Sequence, residues 1–161
     1  MRPIVSANVF PLVRPLVRAR VRPMLPGDVA QVAVLAGQLG YPSTAEGVAA
    51  RLRAIGGADT TEHGLFVAED SGTSVGWAHV LGVRRLDSDG YAELLSLVVD
   101  AACRRRGIGR MLVQRACEWT RSAGFARLRL RSGLHRADAH AFYAALGFDI
   151  ARPGHTFQVR V

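Results

Sequence analysis

The sequence predicts an α/β fold of the α+β layer type, built on a mixed central sheet. Three observations carry that expectation. Segments with apolar residues every three to four positions interleave with segments that alternate every second position. Turns containing Gly or Pro separate them. One stretch, Leu94 to Val99, is almost continuously apolar, which suits a central strand covered on both faces. The expected order is β-α-α-β-β-β-α-β-α-β-β.

Each element has a local reason. Residues 1–18 contain three prolines and no clear period, so they read as an N-terminal extension, expected to be flexible, with the domain spanning 19–161. From Ala19, ARVRPM reads as a short strand. Pro26-Gly27-Asp28 opens a helix that places Val29, Val32, Leu35 and Leu39 on one face, and Gly40-Tyr41-Pro42 breaks it. A second short helix starts near Ser43-Thr44 and carries Val48, Leu52 and Ile55; Gly56-Gly57 ends it. GLFVAED and TSVGWAHVLGVRRL form a hairpin about Asp70-Ser71-Gly72. After a turn at Asp87–Gly90 comes the strand YAELLSLVV. Gly107 to Ala123 is a helix with Ile108, Leu112, Ala116 and Trp119 on one face, stopped by Gly124. In FARLRLR, Arg127, Arg129 and Arg131 alternate with Leu128 and Leu130. A last helix spans about Arg136 to Leu146, and the tail reads as two short strands about Pro153-Gly154.

Composition bounds the function. The chain has 161 residues, 49% apolar, enough for one core. No apolar run approaches the ~18 residues of a membrane span. All 21 basic side chains are arginine, against 13 acids, for a net charge of +8. Anionic ligands are therefore favoured. The two cysteines, Cys103 and Cys117, make no disulfide framework, and neither C-x-x-C nor H-E-x-x-H occurs, so no metal site is expected. The N-terminus, broken by Asn8, Pro11 and Arg14, makes a poor signal peptide, and a cytoplasmic location with reduced thiols is expected.

The segment that carries chemistry is LLSLVVDAACRRRGIGRMLVQRACEW. A buried strand ends at Val99, and a basic, Gly-containing turn feeds directly into a helix. The first helical turn has unpaired N–H groups and the positive dipole end, and glycines let an anion approach the backbone. Together these make a phosphate cradle. The dinucleotide spacing fails because Leu112 stands where its third Gly belongs, and the Walker pattern fails because the chain has no lysine. What is present is R-x-x-G-x-G at Arg104, Gly107 and Gly109. Three arginines at a helix start oppose the dipole, so an anion is wanted there.

R-x-x-G-x-G after a strand of the type L-x-V resembles the acetyl-CoA-binding motif of the GNAT N-acetyltransferase superfamily. Downstream, AHAFYAALGF resembles that family's A-x-x-F-Y-x-x-x-G-F segment, at Ala139, Phe142, Tyr143, Gly147 and Phe148. The likeness covers about Ala19 to Val161. It implies a mostly antiparallel central sheet with helices on both faces, and acetyl-CoA as cosubstrate. It implies that backbone groups of Leu97, Val98 and Val99 pair with the pantetheine arm, with the N–H of Val98 or Val99 on the thioester carbonyl. Arg105, Arg106, Gly107, Ile108, Gly109 and Arg110 would hold the pyrophosphate through their amides, with Arg104 beside them and Phe142 also on the cofactor side. Tyr143 would protonate the departing thiolate. Glu93, four residues before Leu97 and so expected on the same face, is the candidate general base, acting directly or through a water.

The sequence departs from the family where many members carry Asn; here that position is Arg136, which is expected near the CoA phosphates or a pantetheine carbonyl. His140 is read as structural. Glu93 has an alternative as a sheet partner of Arg84 or Arg85. Cys103 and Cys117 are read as filler, and Trp77 and Trp119 as core or partner surface. Charge divides between the halves: residues 104–136 hold ten arginines and one acid, residues 28–100 ten acids and four arginines. CoA is thus expected on the basic half and a protonated amine on the acidic half. The acceptor is expected to be a small-molecule or peptide amine. Rival readings are a longer acyl donor, transfer to oxygen, a non-catalytic CoA-binding module and, last, a nucleic-acid binder, which lacks interleaved aromatics. A homodimer and the absence of a membrane partner complete the expectations.

Overall fold

A computed structural model describes residues 18–57, 59–150 and 158–160. The described residues divide into two units, 18–131 and 132–160. The first unit is built on a five-stranded sheet in the order β1-β2-β3-β4-β5. Its strands are β1 (Arg20–Pro23), β2 (His63–Asp70), β3 (Thr73–Val83), β4 (Tyr91–Val99) and β5 (Leu128–Leu130). β1 to β4 are antiparallel neighbours, and β5 runs parallel to β4. Three helices accompany them: α1 (Val29–Gln38), α2 (Ala45–Ala54) and α3 (Ile108–Ser122). Residues 1–17, most of the expected extension, lie outside the described residues, as does most of the expected terminal strand pair. The described flanks of that pair, Phe148–Ile150 and 158–160, form no strand.

The helices cover both faces of the sheet. On one face Val32 of α1, with Val48, Leu52 and Ile55 of α2, packs with Met24, Leu65, Val67 and Trp77. On the other face α3 buries Leu112, Val113, Ala116 and Trp119. Gly64 and Gly76 let α3 sit close. A Cβ on Gly64 would lie 2.9 Å from the Trp119 ring, and one on Gly76 would lie 3.2 Å from Leu112 Cδ1. Thr44 caps α2 by accepting the Gly47 N–H at 3.1 Å.

The join between β1, α1 and the hairpin is ionic. Arg22 grips both oxygens of Asp28, at 2.8 and 2.9 Å, and donates from Nε to Glu69 at 2.7 Å. Asp28 also accepts the Leu25 N–H and the Ser74 hydroxyl. Burial pushes the Asp28 carboxyl up, but hydrogen bonds from Arg22, the Leu25 N–H and Ser74 outweigh it, and its pKa ends below the ordinary value. Four hydrogen bonds from three partners on a buried carboxylate make this a fixed corner, not a loose surface pair.

β4 is irregular at one place. His79 pairs with Ser96, but the next residue of β3, Val80, pairs with Leu94. Leu95 is therefore an extra residue, a β-bulge. Paired residues share a face, so Ser96 faces the α1/α2 side with His79, while Leu94 faces α3 with Val80. Glu93, paired with Leu81, faces the α1/α2 side, and Leu97, paired with Ala78, faces α3. The expected shared face of Glu93 and Leu97 is thus corrected: the bulge breaks the period of two between them.

In the second unit, α4 (Ala137–Ala145) ends with the Gly147 N–H on Ala144 O and the Phe148 N–H on Tyr143 O. Tyr143 stacks edge-on against Phe142 and Phe148, with ring centroids 5.1 and 5.6 Å away.

Candidate active site

The turn between β4 and α3 is braced before any ligand arrives. The Asp100 side chain accepts the Ala102 N–H at 2.8 Å, and Gln38 Oε1 accepts the Ala101 N–H at 2.9 Å. Arg104 Nε donates to Val99 O at 3.3 Å. The backbone then turns through two left-handed residues, Arg105 at φ 63° and Gly107 at φ 85°. Gly107 is the N-cap of α3, and no side chain caps the helix. The Met111 N–H, on Gly107 O, makes the first intrahelical bond, so the amides of Ile108 and Gly109 precede the ladder. Arg104, Arg105, Arg106 and Gly107 are exposed. An uncapped, acid-free helix start flanked by arginines fits a phosphate.

Beside the cradle, one edge of β4 carries no strand among the described residues. β5 last pairs at Leu130 with Leu94, so Leu95 to Val99 extend past it. Backbone groups alternate in direction along a strand. The Asp100 N–H donates to Val75 O at 2.8 Å, toward β3. Val98 points the same way; its carbonyl lies 2.8 Å from where a Cβ of Gly76 would stand. Leu97 and Val99 therefore present their N–H and C=O to the open edge. Of the two amides expected near a thioester carbonyl, the geometry favours Val99, because the Val98 amide is directed into the sheet.

The α1/α2 face holds a cavity of about 700 Å³. Its walls come from α1, the loop through Tyr41 and Pro42, α2 and the sheet residues Leu65, Trp77, His79 and Ser96. Ser96 ties it to the open edge, since Leu97 is the next residue. Arg51 of α2 also lines the cavity and donates from Nη2 to Ser43 Oγ at 2.8 Å. The Trp77 Nε1 is buried with no hydrogen-bond partner among the described residues. His79 Nε2 lies 3.0 Å from His63 Nδ1. Burial, with His63 adding to it, lowers the His79 pKa to about 4, so the ring is neutral at pH 7.

The expected cofactor residues from Leu97 to Arg110 form one continuous strand–turn–helix segment in the first unit. Glu93 faces the cavity side of the sheet without lining the cavity. Its carboxylate lies 3.4 Å from Arg131 Nε. Neither alternative partner is engaged with it: Arg84 sits over the Phe125 ring and Arg85 pairs with Asp87. Arg136, Phe142 and Tyr143 belong to the second unit, where Arg136 is the exposed N-cap of α4. Burial raises the Tyr143 pKa, partly opposed by Arg136, so its phenol stays protonated. Burial likewise raises the pKa of the Cys117 thiol. Sequence reasoning missed His63, His79, Arg51 and Ser96, and placed Trp77 in a core or partner surface. No spacing pattern links these five; only the strand register and the α1–α2 fold bring them together.

The fold and this strand–turn–helix site define the class: the chain belongs to the acetyltransferase (GNAT) family, whose profile matches residues 38–148. It is 47% identical over 58 residues to the uncharacterized N-acetyltransferase YhdJ of Bacillus subtilis (strain 168), covering 35% of this chain and 41% of that protein. It is 36% identical over 85 residues to an IAA acetyltransferase of Azospirillum brasilense, covering 52% and 53% respectively. The chain thus spans between two fifths and about half of the curated relatives it matches. Among solved structures, the aminoglycoside N-acetyltransferase AAC(6')-Iy in complex with CoA superposes with a TM-score of 0.78 at 21% identity, over 93% of this chain and 100% of that one. At that identity the likeness concerns the fold. No described helix is long and apolar enough to cross a membrane.

Proposed function

We propose that this chain is an acetyl-CoA-dependent N-acetyltransferase, moving an acetyl group to a primary amine by direct attack on the thioester. One observation carries the reading: an edge of β4 with no strand paired to it among the described residues runs between an uncapped helix start and an apolar cavity. A long ligand with a phosphate end and a backbone-like arm matches that sequence of surfaces. The CoA structure of a fold neighbour supports the choice of cosubstrate.

In this mechanism CoA supplies the acetyl group as an activated thioester. The amides at the start of α3, from Arg105 to Arg110, hold the pyrophosphate, with Arg104 at its side. Leu97 and Val99 pair with the pantetheine arm as an added strand would. The Val99 N–H donates to the thioester oxygen, where negative charge grows during attack. The amine enters from the cavity past Ser96. Glu93 takes its proton through a water, and Tyr143, kept protonated by burial, gives one to the leaving thiolate. The family resemblance assigns Arg136 and Phe142 to the cofactor as well.

Titration calorimetry of the purified chain with acetyl-CoA, followed by thiol release with amines, tests this. Micromolar binding with amine-dependent release is the expected result. Absence of binding overturns the reading. Binding without release from any amine would mark a CoA-binding module without catalysis.

A further inference from the structure

The cavity's own chemistry narrows the acceptor. Its walls are apolar, with Val32, Val48, Leu52 and Leu65 among them, and no described lining residue is Asp or Glu. The surrounding residues 28–100 hold ten acids, but none is among the described residues of the cavity wall, and five of them are ion-paired. Asp28 and Glu69 are held by Arg22, Asp59 by Arg115, Asp87 by Arg85 and Glu93 by Arg131. The sequence-level expectation that an acidic field draws the amine is therefore not met at the cavity wall.

Two of the polar groups that line it, Arg51 and the Trp77 indole, are purely donors. Arg51 is the only arginine among the described lining residues, and its guanidinium is oriented by Ser43. The Trp77 indole N–H is buried and has no acceptor among the described residues. A guanidinium fork recognises a carboxylate in two-pronged fashion. An apolar wall rewards an apolar body, while each further ammonium group placed against it would be desolvated without a partner. At about 700 Å³ the cavity has room for an aromatic ring system.

From these observations we propose that the acceptor is an amine carried on an apolar body that also bears a carboxylate, an apolar amino acid being the simplest member. Polycations such as spermidine or neamine are excluded. The proposal rests on the reading of the chain as an N-acetyltransferase with this cavity as its acceptor site. Arg51 is then a specificity-determining residue that holds the carboxylate, with the amine directed to the β4 edge at Ser96.

The test is thiol release from acetyl-CoA with phenylalanine, phenethylamine, spermidine and neamine, beside a calorimetric titration with acetyl-CoA alone. Phenylalanine is expected to exceed phenethylamine in kcat/KM by at least about tenfold, the worth of one charge-assisted contact, and to exceed both polycations by more. In Arg51→Gln the preference for phenylalanine over phenethylamine should collapse through KM. Arg51→Lys, keeping charge but not the fork, should restore part of it. The proposal is overturned if a polycation ranks first, if phenethylamine equals phenylalanine, or if acetyl-CoA binds and no member of the panel reacts. Failure of acetyl-CoA to bind strikes instead at the N-acetyltransferase reading beneath it.

Discussion

His79 Nε2 of β3 lies 3.0 Å from His63 Nδ1 of β2, so one ring must donate and the other accept. A doubly protonated pair would set N–H against N–H. Burial and His63 lower the pKa of His79 to about 4 from an ordinary 6.5. Between those values the unfolded chain binds more protons than the folded one. The stability tied to the neutral ring is fully present above pH 6.5 and is lost as pH falls toward 4. Thermal melts across this window should show Tm falling by several degrees, corresponding to about 2 kcal/mol. In His79→Gln the slope over the same window should flatten; an unchanged slope would assign the effect to other groups.

Asp28 predicts a second, lower window. With four hydrogen bonds and a folded pKa below its ordinary 3.8, it adds stability above that value and gives it up as pH falls through the folded value. Asp28→Asn keeps the shape and removes the charge that Arg22 faces. It should cost about 3 kcal/mol in urea unfolding at pH 7, because a partly buried guanidinium loses its main partner. A cost within about 0.5 kcal/mol would show that this corner is held by packing alone.

Arg105 and Gly107 both adopt left-handed backbone, at φ 63° and 85°, with opposite consequences for mutation. A side chain in that region is strained, so Arg105→Gly should stabilise the fold by about 0.5–1 kcal/mol. Gly107→Val should abolish acetyl-CoA binding in calorimetry, since a β-branched residue resists that φ and crowds the cradle. Folded Gly107→Val protein with native affinity would remove the cradle from its role.

Tyr143→Phe removes one oxygen and leaves the aromatic packing with Phe142 and Phe148 in place. Turnover should fall about 10²-fold, with acetyl-CoA affinity nearly constant. Pre-steady-state thiol release separates the chemical step from product release, and an unchanged chemical rate would acquit the phenol.

Periodicity made most of the layer structure legible. The four described helices and five strands fall on the segments whose apolar spacing announced them, and the R-x-x-G-x-G turn sits where its glycines put it. The Leu95 bulge was not legible, because an extra residue leaves no mark in an apolar run, and so Glu93 was assigned the wrong companion face. Whether Val98 or Val99 aims its amide outward depends on pairing with β3, which residue types do not encode. Summed charge suggested an acidic acceptor site, but Arg22, Arg85, Arg115 and Arg131 absorb acids that a count treats as open. Arg51, Trp77 and His79 come from different elements, so no motif could have joined them.

Leu95 also makes β4 behave like a text with two reading frames spliced at one letter. Before it, odd-numbered residues such as Glu93 look toward the cavity; after it, even-numbered ones such as Ser96 and Val98 do. A substitution within either frame alters one contact. Deleting Leu95 would set Leu94 directly beside Ser96 and close a regular ladder in which every residue keeps its β3 partner, so Leu97 would still face α3 and Ser96 the cavity. What the extra residue specifies is a local bend in β4, not the faces of the residues beyond it.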